Sequence, residues 1–183
     1  DNLFEDDGQQ VGHVYYNEPF DWAIPFGMDD QVGLNGTKWT RLSVQKNDEI
    51  KAAWAKCGLT DFNPDANCLF IASDYLQIGV KAGQSTDVEL SMETCANIGG
   101  SGTPDGVTVT VEITAGPGTV NGDSEKLCEP MTPAPSWGWT PMSVKLYGIT
   151  ADTRIVIRST QQGQNGYFRW FLDDIKMTKI AAE

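Results

Sequence analysis

The chain has 183 residues, 40% of them apolar, enough for one domain that buries a core without a metal or covalent staples. Thirteen Lys and Arg stand against 25 Asp and Glu, a formal net charge of -12; such a surface repels phosphate and argues against nucleic acid and anionic lipid as partners. No run approaches the ~18 consecutive apolar residues of a membrane span, and the single histidine, His13, removes most routes to His-centred catalysis and to a multi-His zinc site.

The chain opens at Asp1 with no initiator methionine and no signal peptide, which reads as a processed chain. His13 lies near Tyr15 and Tyr16 and reads as a structural or exposed histidine. Asn35-Gly-Thr37 fits a glycosylation sequon and is read as a turn. Asn47 can cap a helix, and Asp48 and Glu49 suit its first turn, where the backbone dipole favours negative charge. Ile50, Trp54 and Cys57 then recur at helical spacing and Gly58 supplies a stop, so the spacing predicts one short helix over about 47–57. Its Trp54 is expected to anchor the helix on the core. Asp61-Phe-Asn-Pro-Asp-Ala-Asn67 alternates oxygens like the start of a calcium loop. Ala66 holds the sharp-turn position, however, and Ala72 that of the bidentate glutamate, so an ordinary turn is the better reading.

Strands dominate the rest. Leu69–Ala72 and Tyr75–Val80 flank a Ser73-Asp74 turn, and Val88-Glu-Leu-Ser-Met92 alternates apolar and polar residues. Val107-Thr-Val-Thr-Val-Glu-Ile113 is the clearest case, with β-branched residues on one face and Thr108, Thr110 and Glu112 on the other. Val144-Lys-Leu146 and Thr153-Arg-Ile-Val-Ile-Arg158 repeat the period, the latter with Arg154 and Arg158 outward. Gly-rich clusters at 99–106, 116–118, 121–123 and 161–166 separate these runs. Many short strands without β-α alternation predict a sandwich or barrel formed by a single domain, 1–183.

The last strand, Tyr167 to Ile180, is long and aromatic. Phe168, Trp170 and Leu172 share one face, whereas Ile175 and Met177 carry the apolar groups at odd positions. The phase slips at Asp173-Asp174. A one-residue slip would send apolar groups to solvent, so a bulge or kink is expected there. Cys57, Cys68, Cys95 and Cys128 form no C-x-x-C pair, which weakens zinc and thioredoxin-like readings. Cys57–Cys68 and Cys95–Cys128 are the chain-local disulfides; small buried thiols are the alternative.

Arg169-Trp-Phe-Leu-Asp-Asp-Ile-Lys-Met177 resembles the closing strand of bacterial jelly-roll domains of the galactose-binding-like, carbohydrate-binding-module and MAM-like kind. Leu3-Phe-Glu-Asp6 followed by Phe20-Asp-Trp22 is similar to the start of that group, and Tyr75–Val80 and Ala151–Ile157 fit as well. Such domains occur in surface lipoproteins of glycan-foraging gut bacteria. The resemblance implies an all-β jelly-roll sandwich of two antiparallel sheets, here with the one short helix. It also implies non-catalytic binding of glycan or protein, and a secreted, periplasmic or outer-surface location with a lipid anchor upstream. A structural calcium is implied too, held here by Glu5 and Asp6 together with Asp173 and Asp174.

Pro133-Ala-Pro-Ser-Trp-Gly-Trp139 places Trp137 and Trp139 in a Pro/Gly-flanked segment, two apart and so on one side if extended. Sugar rings present C–H faces on which flat indoles stack, while amides and carboxylates read the hydroxyls. Tyr167, with Gln162 and Asn165 before it, can join such a platform; the opposing reading is that the Trp residues plug the end of the sandwich. Carboxylate pairs such as Glu89/Glu93 carry little information among 25 acids, and no nucleophile elbow, P-loop or dinucleotide fingerprint is present. The sequence therefore predicts a non-enzymatic carbohydrate-binding or glycan-recognition domain that does not insert into membranes. A structural or adhesion module with a protein partner is the alternative, and a sandwich-fold glycoside hydrolase ranks third.

Overall fold

The computed structural model describes residues 4–18, 42–45, 51–56, 58–59, 68–71, 80–98, 107–122, 124–132, 140–161 and 168–182, and among them only strands and connections occur, with no helix. The strands are β1 (Glu5–Asp6), β2 (Val14–Glu18), β3 (Leu42–Gln45), β4 (Lys51–Lys56), β5 (Gly58–Leu59), β6 (Cys68–Ile71), β7 (Gln84–Ile98), β8 (Val107–Ala115), β9 (Thr119–Val120), β10 (Thr140–Ile149), β11 (Arg154–Gln161) and β12 (Phe168–Lys179). The larger sheet runs β3-β4-β12-β7-β10-β9, with β1 added to β7 and β2 to β12. The smaller runs β5-β11-β6, with β8 also paired to β11. All pairings are antiparallel except β1 with β7 and β5 with β11.

Period-2 alternation seals the two sheets together. Val88, Leu90 and Met92 of β7, Val144 and Leu146 of β10, and Ile175 and Met177 of β12 are buried from one side; Val109, Val111 and Ile113 of β8 and Ile155 and Ile157 of β11 meet them from the other. Each such side chain contributes about 1.5–3 kcal/mol by leaving water. On the opposite face of β10, Pro141, Ser143 and Lys145 are exposed.

The slip expected in the last strand is a bulge. Asp173 pairs with Glu93 but Lys176 pairs with Ser91, so three steps along β12 match two along β7. Asp174 takes up the extra residue at φ 50°, a left-handed conformation that aspartate tolerates better than most residues. The bulge keeps Ile175 and Met177 fully buried although their parity differs from that of Leu172.

Residues 51–56 correct the helix expectation: they form β4, paired with β3 on one side and with Arg169–Leu172 of β12 on the other. Ala52, Ala53 and Ala55 give that segment no strong period of its own, and pairing of Lys51–Ala53 with β3 and of Ala53–Lys56 with β12 supplies strand partners along its length. Residues 46–50 and Cys57 lie outside the described residues. Cys128 is a free, buried thiol, so the Cys95–Cys128 disulfide does not form. Residues 126–131 run along β8 as a strap: the amides of Ile113 and Cys128 donate to the carbonyls of Lys126 and Val111, and Val109 and Met131 exchange two hydrogen bonds. Where the strap bends away, the Val111 N–H donates to the Cys128 sulfur at 3.2 Å. Burial pushes the Cys128 thiol pKa up.

The β10 edge is guarded. The Asn121 amide donates to the Lys145 carbonyl and the Lys145 amide to Asn121 Oδ1, which shows that Lys145 turns its backbone groups away from β7. Two-residue periodicity gives Pro141 the same orientation, so its missing N–H costs the β7 ladder nothing and blunts the edge.

Candidate functional site

The outer face of the larger sheet follows from its register. Odd positions of β7 lie opposite the buried Val88, Leu90, Met92 and Thr94, and each heads a row across neighbouring strands. Glu89 sits between Lys145 and Thr178, and Ser91 between Ser143 and Lys176. These rows are polar, and Ser143, Lys145 and Lys176 are exposed.

Further along, the character changes. Cys95 pairs with Phe171, which pairs in turn with Trp54 of β4; Asn97 pairs with Arg169, which pairs with Lys56. Backbone register thus sets two aromatic residues on adjacent strands in one row, about 4.8 Å apart between strands and at the parity opposite to that of the buried Thr94. The rows on either side carry Asn97, Arg169 and Lys56 on one flank and Glu93 and Asp173 on the other. At the alternate parity Trp170 pairs with Ala55 and Ala96.

The sequence-chosen platform residues Trp137, Trp139, Gln162, Asn165 and Tyr167 lie outside the described residues. The strands that receive their segments are described. Thr140 opens β10 opposite Thr94, and Phe168 opens β12 opposite Ile98, on either side of β7. Both entry points therefore belong to the same end of the sheet, about 13 Å apart along β7, and that end also holds the Trp54–Phe171–Cys95 row. Sequence reasoning missed this row because Trp54 was assigned to a helix. Phe171 had left a signal: it is an aromatic residue at the parity opposite to Phe168, Trp170 and Leu172.

The other end of β7 is chemically different. β1 pairs in parallel with Gln84 and Ser85, and the Asp7 amide donates to the Ser85 carbonyl. The chain then turns back so that the Gly12 amide donates to the Lys179 carbonyl and the Lys179 amide to the His13 carbonyl. Lys179 follows Ile175 and Met177 at the same inward parity and is 6% exposed. Its ammonium donates to both carboxylate oxygens of Asp6, at 3.0 and 3.1 Å, and to Asp7 Oδ1 at 2.5 Å. The Tyr15 hydroxyl donates to the other Asp7 oxygen and contacts Thr86 Oγ1 at 2.9 Å. The exposed His13 meets the Tyr15 ring edge to face at 4.7 Å.

Titration follows from these contacts. The Gly8 amide, and next Lys179, hold the Asp6 carboxyl below its ordinary range. Burial works to raise Asp7, but hydrogen bonds from Lys179, Tyr15 and the Gln9 amide outweigh it and leave Asp7 lowered. Burial likewise opposes the charge on Lys179, and Asp7 and Asp6 reverse it, so its pKa is raised. Burial first, and then the Asp7 carboxylate, push Tyr15 up to about 12.

The calcium set implied by the resemblance does not fit this geometry. Asp6 lies beside Ser85 and Asp173 opposite Glu93, eight residues apart on β7 and so about 26 Å. Glu5 pairs beside Gln84, further still from Asp174 in the bulge. The structure does not bring the two pairs together, and among the described residues no three His, Cys, Asp or Glu side chains are grouped to hold a metal.

The two sheets, their pairing and their core define a β-sandwich of the jelly-roll class. No protein-family model matches the chain, and no curated protein sequence does. Among solved structures, it is similar to the CBM22-1 xylan-binding domain from Paenibacillus barcinonensis Xyn10C, with 14% identity, 96% of this chain and 100% of that chain covered, and a TM-score of 0.54. It also matches the CBM22-1 and GH10 modules of a Clostridium thermocellum endo-1,4-β-D-xylanase complexed with xylohexaose (15% identity, 92% and 29% covered, TM-score 0.46). A third match is a cleaved adhesin domain of the Porphyromonas gingivalis Lys-gingipain (14%, 91% and 99%, TM-score 0.47). At these identities the likeness to the first speaks to the fold.

Proposed function

We propose that this domain binds a carbohydrate chain without cleaving it, on the outer face of the larger sheet where Trp54 and Phe171 share a row beside Cys95. That row is the observation that carries the reading. Aromatic faces offer an apolar, flat surface to the C–H groups of sugar rings, and the flanking Asn97, Arg169, Lys56, Glu93 and Asp173 are residue types that exchange hydrogen bonds with hydroxyls. Trp137, Trp139 and Tyr167, with Gln162 and Asn165, remain by residue type our further candidates for stacking and for reading hydroxyls. The fold likeness to a module whose description is xylan-binding supports the ligand class. A secreted, periplasmic or outer-surface location would bring such a domain to its polysaccharide.

Affinity electrophoresis against xylan and a panel of plant and host polysaccharides tests this. Retardation on at least one polymer is expected, with affinity reduced about 30-fold or more in a Trp54→Ala/Phe171→Ala variant. No retardation on any polymer sinks the function, and undiminished retardation of the double variant sinks the sheet-face site. Release of reducing ends that a carboxylate substitution abolishes would overturn the non-catalytic part.

A further inference from the structure

The misfit of the calcium set points to what takes its place. An N-terminal acidic pair folded against the end of β7 needs a counter-charge, because a carboxylate shielded from water without one is strongly destabilised. Asp7 has that problem in full, its side chain being 4% exposed. The counter-charge present is Lys179, whose ammonium has three N–H donors. All three are used: two reach Asp6 and one reaches Asp7. The same residue ties residues 12 and 13 to β12 through its backbone, and Tyr15 and Thr86 complete the shell around Asp7.

We propose that Lys179 is the built-in structural cation of this domain, closing the seam between the first strand and the last so that the seam needs no bound metal. The placement of Lys179 at a core-facing position follows from this role. An ammonium there, opposite Val88 and two residues from Met177, is costly unless a carboxylate meets it.

Thermal melts of the full chain in excess EDTA and in millimolar calcium decide the matter, using Asp7→Asn, Lys179→Met and the double variant. Each single substitution is expected to lower Tm by about 5 °C or more. The double variant should lose little beyond Lys179→Met, because the two residues act as one pair. The Asp7→Asn loss should be the same in both media. A loss that vanishes in EDTA means that Asp7 serves a metal and overturns the proposal, as do additive losses in the double variant or no loss at all. Should Lys179→Met not fold, the Asp7→Asn comparison in the two media still distinguishes a lysine-closed seam from a metal-closed one.

Discussion

The two ends of β7 solve opposite problems with the same strand. At Gln84–Thr86 the sheet takes on an extra parallel strand and closes around a charged cluster whose oxygens and donors are matched to one another. At Cys95–Ile98 the rows run out into Trp54, Phe171, Asn97 and Arg169, residue types suited to meeting something else. The ends lie about 45 Å apart along the strand, with a continuous apolar core between them. The acidic and aromatic residues of this chain are therefore placed apart: Asp6 and Asp7 are committed to the seam, and Trp54 and Phe171 share a row at the other end.

The largest effect that could break this contrast is at Tyr15. Tyr15→Phe deprives buried Asp7 of a donor and is expected to cost about 2–3 kcal/mol, or about 4–10 °C in Tm, while glycan affinity stays unchanged. A fall in affinity would show that the ends are coupled. The same variant has a pH signature. The folded-state pKa of Tyr15 is raised from 10.0 to about 12, so its contribution is complete below pH 10 and is lost as the pH rises towards 12. Lys179, also raised, acts in the same direction. Urea melts across that range should show a shallower alkaline decline in Tyr15→Phe than in the parent.

The bulge sharpens the contrast next. Asp174→Val forces a β-branched residue to positive φ and should cost about 2 kcal/mol, whereas Asp174→Gly should be tolerated. Because the bulge sets the parity of Phe171, Asp174→Val alone of these variants should weaken both stability and glycan retention. Retention at the parental level with a lowered Tm would separate the bulge from the site. The smallest effect belongs to the strap on the smaller sheet. Cys128→Ala leaves the Val111 amide without its acceptor and is expected to cost about 1 kcal/mol, read as about 2–4 °C, with Cys128→Ser costing less. Equal losses for Ala and Ser would show that packing, not the hydrogen bond, is what Cys128 supplies.

Much of the fold is legible in the chain itself. Val107–Ile113, Val88–Met92 and Ile155–Ile157 announce buried strand faces because β-branched residues at every second position fit little else. The slip at Asp173-Asp174 is equally local, since a bulge is the way to carry apolar residues across a change of parity. Residues 51–56 do not follow the helical spacing of Ile50, Trp54 and Cys57, because two neighbouring strands offer ladders that spacing cannot reveal. The aromatic row of the candidate site was hidden for the same reason, since Trp54 belongs to that segment.

What the sequence by itself determined is the alternation, the acidic balance, the bulge and the sandwich, all set by residues within a few positions of one another. What only the tertiary structure decided is which distant residues become neighbours. Trp54 is paired with Phe171 in the β4–β12 ladder, and the Lys179 ammonium reaches Asp6 and Asp7, although each pair is more than a hundred positions apart. Register between strands is fixed by the fit of the whole core and not by any one strand's pattern, so the partners of a charge or a ring emerge only once the sheets have closed.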